Sequence, residues 1–288
     1  MKSKSLELLQ TTNPPQSRES FNIEALLFYH KRRRKTMGKD NMKKIDGRYY
    51  FKSKYTKNWS RVYISDGMTG KMQDIPATST SCHMNPRCIA RSRCPELVCF
   101  HCFADSTLNQ YDALDYNLMV ATNILTQEYI AWDDLPEYKD NVEEGRWEAF
   151  GDIINELQVI NYLNTTAKNP HVDFALWSKN PDIIKRAFDR GYEKPKNLTI
   201  IYSSPKVNEQ VKLEDLHKAG FTFIDKTFTV WEHEYALEHN IPINCCDGTK
   251  PRQCKYDCGL CYHDKTVTEI NETLRPNKAK LKAQGGAR

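Results

Sequence analysis

The chain has 288 residues, enough for one large core or two ordinary ones, and its 39% hydrophobic and 11% aromatic content implies a folded globular body. No run of about 18 apolar residues occurs, so no membrane-spanning helix is expected. The opening MKSKSLELLQTTNPPQ lacks an apolar h-region, so a cytoplasmic location is expected instead of secretion.

The net charge of +5 is unevenly placed: residues 1–62 carry 16 Lys/Arg against 5 Asp/Glu, a balance of +11, and the remaining 226 carry 26 against 32, a balance of −6. Residues 1–20 are polar and read as loosely held. SFNIEALLFYHKRRRK predicts a short helix capped by Ser20, with Ile23, Leu26 and Leu27 at helical spacing. It ends in the basic run His30–Lys35, which suits a phosphate backbone or an acidic surface; the alternative is a solvated tail. Residues 48–75 alternate in RYYFKSKYTK and RVYISD and read as β-rich.

The pattern sharpens from Trp147. RWEAFGD predicts a strand ending in a Gly-Asp turn, and IINELQVINYLNTTAK a helix. VDFALWS is a second strand, and NPDIIKRAFDRG a second helix with Pro181 near its start and Gly191 past its end. NLTIIYSS is a near-continuous apolar strand of the kind covered on both faces. LEDLHKAG adds a short helix and FTFIDKTFTVW further β-structure. Strands alternating with helices predict an α/β fold with a parallel sheet and right-handed crossovers. The units are too few for a closed eight-fold barrel, so an incomplete β/α barrel or an open α/β sheet is expected. The chain divides into a basic extension over 1–75, a core over 76–244 with the first cysteines, and a knuckle and polar tail over 245–288.

All ten cysteines fall in two clusters, five over 82–102 and five over 245–261. In a chain without secretion signals, such clusters suit metal binding or redox chemistry better than disulfides. The first reads Cys82-x5-Cys88-x5-Cys94-x4-Cys99-x2-Cys102, with His83 and His101 as further donors. The second has Cys254-x3-Cys258-x2-Cys261, completed by Cys246 or, as second choice, Cys245. Thiolates hold zinc or iron–sulfur clusters. Zinc favours two paired C-x2-C units and each cluster has one, which tilts the expectation to iron–sulfur for at least one site. Cys254-x3-Cys258-x2-Cys261 has the spacing of the radical S-adenosylmethionine (SAM) superfamily, but it lies beyond the last predicted strand and reads as an auxiliary or structural centre.

From about Thr78 to Tyr262, through NPRCIARSRCPELVCFHCFA, RWEAFGD, FALWSKNPDIIKRA, NLTIIYSSP and INCC…CGLCY, the chain resembles the gene product 88 family of phage and mobile-element proteins, considered radical-SAM-like. The resemblance implies Cys88, Cys99 and Cys102 as ligands of a [4Fe–4S] cluster, with Cys94 as the rival to Cys88, and zinc as the alternative metal, above all at the C-terminal site. It places Gly151 and Asp152 where a SAM amino group binds, the alternative being a plain turn with Asp152 as a helix N-cap. Ser203 and Ser204, at the end of the third strand, fall where the SAM ribose binds, the alternative being a Ser-Pro turn. Trp177, Ser178 and Lys179 end the second strand by the same logic. Glu148 and Asp152 are acid/base candidates by position. The expected function is a SAM-dependent iron–sulfur enzyme; the runner-up is a non-catalytic, metal-stapled nucleic-acid-binding protein. Nucleic acid is the expected partner of the basic arm in both, and no membrane partner is expected.

Overall fold

The computed structural model describes residues 41–245 and 253–275, all within one compact unit, Gly38–Arg288. The helix predicted near Ser20, the His30–Lys35 run and Cys246 lie outside the described residues. Strands β1 (Met42–Ile45) and β2 (Arg48–Phe51) form an antiparallel hairpin turned by Asp46 and Gly47, both at positive φ. The β-structure predicted over 48–75 is therefore confined to its start, and residues 52–75 contribute only isolated bridges. Phe51, Val62 and Ile64 nevertheless bury in the same core as the sheet.

The main sheet has six strands: β3 (Ala77–Thr78), β4 (Glu144–Trp147), β5 (Asp173–Ser178), β6 (Leu198–Val207), β7 (Lys226–Trp231) and β8 (Glu269–Thr273). Every neighbouring pair is parallel, and the spatial order follows the sequence from β3 to β8. The sheet is open, as expected, and its two edges are covered. Ser65 N–H donates to Ala77 O at 2.8 Å beside β3, and Cys245 N–H donates to Asn271 O at 3.0 Å beside β8. Such cover denies another chain a free ladder.

The helices are α1 (Pro86–Arg91), α2 (Phe103–Leu108), α3 (Asp112–Gln127), α4 (Glu156–Lys168), α5 (Pro181–Asp189), α6 (Leu213–Lys218) and α7 (His233–Glu238). Alternation along the strands sends Trp147, Phe174, Leu176, Leu198, Ile200 and Tyr202 to one face, where α3 to α6 pack on them through residues such as Leu125, Val159, Tyr162, Ile183 and Leu216. Trp147 lies between the rings of Tyr162 and Phe174, stacked at 4.8 and 4.7 Å. Gly145 is required there, because a Cβ would sit 2.5 Å from the Phe174 ring. Ala175, Ile201 and Ile270 face the other way and meet loops instead of helices: Met72, Ile75, Cys245, Cys261 and Tyr262.

Three expectations are corrected. Ser203 and Ser204 lie inside β6, which continues through Pro205 to Val207 with an irregular register against β7, so they form no terminal turn. The second cysteine cluster does not lie beyond the last strand, because β8 follows it. The N-cap of α4 is Asn155, whose Oδ1 accepts from Gln158 N–H at 3.0 Å, so Asp152 is free for another task.

Candidate functional site

The carboxyl ends of β3, β4 and β5 are zipped together by buried polar groups. Ser79 Oγ accepts from Ala149 N–H (2.6 Å) and Phe150 N–H (3.0 Å), and Ser81 N–H donates to Thr122 Oγ1 at 2.8 Å. Glu148, at φ +62° and 3% exposed, takes hydrogen bonds from Tyr162 Oη (2.5 Å), Gln158 Nε2 (2.6 Å) and Thr80 N–H (3.2 Å). Burial pushes its carboxyl up to about 8, so it holds a proton at neutral pH. Gly151 is needed because a Cβ would stand 2.4 Å from Thr80 O and 2.8 Å from Glu148 Oε2. The Asp152 carboxylate joins β4 to β5, accepting from Ser178 Oγ (2.6 Å), Ile153 N–H (2.8 Å) and Lys179 N–H (3.1 Å).

Asn85 ties the thiol loop to this end. Its Oδ1 caps α1 through Arg87 N–H (3.0 Å) and Cys88 N–H (3.4 Å), and its Nδ2 donates to Asp152 O at 2.9 Å. Cys88 is thereby set above Asp152. Cys99 lies on the 3-10 turn Val98–His101, docked on the end of β6 by Val207 N–H donating to Glu96 O at 3.0 Å. Burial pushes the Cys88 thiol well above its ordinary range, with Asp152 and Cys99 adding to the effect. Burial also raises Cys99, opposed by the Lys179 ammonium, and raises Cys82, reinforced by Cys102. Lys179 itself is disfavoured by burial, yet Cys99, Asp152, Cys102 and Cys88 hold its proton on more strongly. Cys82, Cys88, Cys99 and Cys102 thus share one neighbourhood with Lys179 and Asp152.

Among the described residues, no group of three or more His, Cys, Asp and Glu stands ready to hold a metal ion. The thiols are neighbours, not a closed cage, and no disulfide joins the described cysteines to one another. Cys94 occupies the turn after α1, its N–H donating to Arg91 O, and is not among the thiols that act most on Lys179. His83 is held between Asp115 and Asp105, 3.3 Å from each, and His101 Nε2 lies 3.2 Å from Pro95 O. Ser204 Oγ donates to Glu209 O at 2.7 Å and shapes the loop after β6. Lys179 is the participant most easily overlooked in sequence; its signal is its place directly after the strand VDFALWS. Cys82 reads as surplus in sequence, but the hydroxyl-rich Thr78–Ser81 segment carries it into the group.

The second cluster lies against the face of the sheet that carries Ala175, Ile201 and Ile270. Cys254 to Cys258 form a single π-helical turn closed by Gly259 at φ +64°, and Cys261 is buried. Cys245 and Cys261 belong to the inner-face core, with Cys254 packed against it. The loop is fastened to strand starts: His263 bonds Glu144 at the head of β4 and Asp173 at the head of β5, the latter at 3.0 Å, and Lys226 Nζ at the head of β7 donates to Val267 O at 2.7 Å.

Fold and site together define an α/β protein with an open, all-parallel main sheet, one thiol cluster at the carboxyl ends of its strands and a second on the face opposite the helices. The gene product 88 family matches residues 31–263, and the chain belongs to that family. No curated protein and no solved structure matches the chain. No described helix is long and apolar enough to cross a membrane.

Proposed function

We propose that the site at the carboxyl ends of the strands holds an iron–sulfur cluster through Cys88, Cys99 and Cys102, and that the protein is a radical-SAM-like enzyme using SAM. The observation that carries this reading is the grouping of Cys88, Cys99 and Cys102 near the half-buried Lys179, with Cys82 beside Cys88 and Cys102, at the end of a sequentially ordered parallel sheet where such folds bind ligands. The donor set fits the group: soft sulfur ligands, Cys99 buried and Cys88 and Cys102 half-buried, with Lys179 and Arg91 supplying positive charge beside them. A cluster held there with one iron free of protein ligands would, once reduced by an external one-electron donor, supply the electron for SAM cleavage. Asn85 and Asp152 hold the thiol loop against the strand ends, and the protonated Glu148 keeps β3 and β4 joined without adding a charge. Cys82, expected as an extra, decides whether an iron stays open, since a fourth thiolate would close the site.

Anaerobic purification with iron and sulfide analysis tests this. Brown protein with about four irons at this site is expected, lost in Cys99→Ala and kept in Cys82→Ala. Colourless protein carrying zinc alone would overturn it. A second reading rests on the +11 balance of residues 1–62: a non-catalytic, metal-stapled protein that grips nucleic acid through its basic arm. Nucleic acid is the substrate class that the same arm suggests for the enzyme.

A further inference from the structure

The inner face of the sheet carries buried hydrogen-bond donors that nothing described satisfies. Arg146 on β4 lies over the Trp177 ring, 3.9 Å from its centroid, with NH1 3.4 Å from Met72 Sδ. Its Nε is buried without a partner, and it makes no ion pair among the described residues. Tyr262, 2% exposed, has its hydroxyl buried without a partner as well. Glu144 carries one unpartnered oxygen on this face, but its carboxylate is already held by His263. Tyr262 lies in one core cluster with Cys245 and Cys261, against which Cys254 packs, and its ring meets the Trp177 ring that Arg146 covers, centroids 6.0 Å apart. Lys226 adds a second cation beside Cys261.

Arg146 is half-buried, but an Nε shut off from water without an acceptor is costly, and a neutral thiol does little for it. A metal-bound thiolate is anionic and accepts hydrogen bonds from nearby N–H and O–H groups. We infer that Cys254, Cys258 and Cys261 bind a metal as thiolates with Cys245 as the fourth ligand, and that Arg146 and Tyr262 balance and orient that centre. Cys245 and Cys261 lie in one core cluster and Cys254 packs against it. The chemistry required is four thiolates on zinc or on an iron–sulfur cluster. The centre is distinct from the one at the carboxyl ends of the strands, since its loop is fastened to strand starts.

The test uses the full chain, purified anaerobically. Metal and sulfide analysis of Cys261→Ala and Cys99→Ala should show each variant losing a different share, with zinc or iron identified in the share that Cys261→Ala loses. Arg146→Gln should release that share to a chelator about tenfold faster or more, with Arg146→Lys restoring part of the retention. Should Cys261→Ala fail to fold, alkylation of the wild type read by mass spectrometry replaces it: Cys245, Cys254, Cys258 and Cys261 should be protected until chelator is added. Equal alkylation before and after chelation would overturn the inference, as would an unchanged metal content in Cys261→Ala or an unchanged release rate in Arg146→Gln. Loss of iron at Cys88, Cys99 and Cys102 alone would leave it standing.

Discussion

Glu148 is a carboxylic acid kept dry, and its proton has a thermodynamic signature. Its pKa rises from the ordinary 4.5 to about 8 because burial penalises the charged form. The folded state therefore holds a proton that the unfolded chain has released, and stability falls as pH climbs from about 4.5 through about 8. For one proton the slope is ~1.4 kcal/mol per pH unit across that window. Urea unfolding of Glu148→Gln at pH 5 and pH 8 should show a much weaker loss than the wild type, since Gln cannot ionise. The sequence placed this residue inside the predicted strand RWEAFGD, but β4 ends at Trp147, just before it, and its partners were not legible. Thr80, Gln158 and Tyr162 reach it from β3 and α4, and no local pattern announces such a meeting. Asp152 teaches the same thing: it was expected in a turn, but Ser178 and Lys179, which it joins, stand 26 and 27 positions away.

At the scale of elements, legibility tracked apolar pattern. β5, β6 and β7 stand out because their runs are buried on both faces, and α4 and α5 because their stripes and ends are marked. β3 has two residues and β8 reads EINET, an edge strand with polar alternation, so neither signals itself. Sixteen-residue α3 was missed because its N-cap is Tyr111, without a side-chain cap, and no Gly or Pro marks its end. Capping also separates structural from functional cost. Asn155→Ala removes one cap and should cost ~1 kcal/mol in a denaturant titration, without touching metal content. Asn85→Ala frees two α1 donors and the bond to Asp152 O, so it should also lower iron retention at Cys88, Cys99 and Cys102.

At the scale of the molecule, the two cysteine clusters, which share little in sequence beyond a C-x2-C ending, take different places on one sheet: the first at the carboxyl ends of its strands, the second against one face. Spacing showed that there were two groups; only the fold shows that strand heads anchor one and strand tails the other. The basic arm is a separate matter of charge. Arg32, Arg33 and Arg34 changed together to Ala should weaken binding to DNA and RNA by a similar factor for all sequences. The salt slope should flatten by roughly one unit per lost phosphate contact. Filter binding across a salt series checks this, and metal content should not change.

The strict order of the strands, β3 to β8 with each beside its predecessor, also bears on how the protein is made. Loop-closure entropy is smallest when partners are near in sequence, and domains assemble as the chain is synthesised. Here every strand emerging from the ribosome after β3 finds its neighbour already delivered. The longest wait is that of β3, from Thr78 to Glu144, while the first cysteine loop and α1 to α3 are synthesised; the next longest is that of β7, from Trp231 to Glu269, while the second cysteine loop is synthesised. Capture of metal by that loop would then coincide with the docking of the last strand, tying completion of the sheet to the metal supply of the cell.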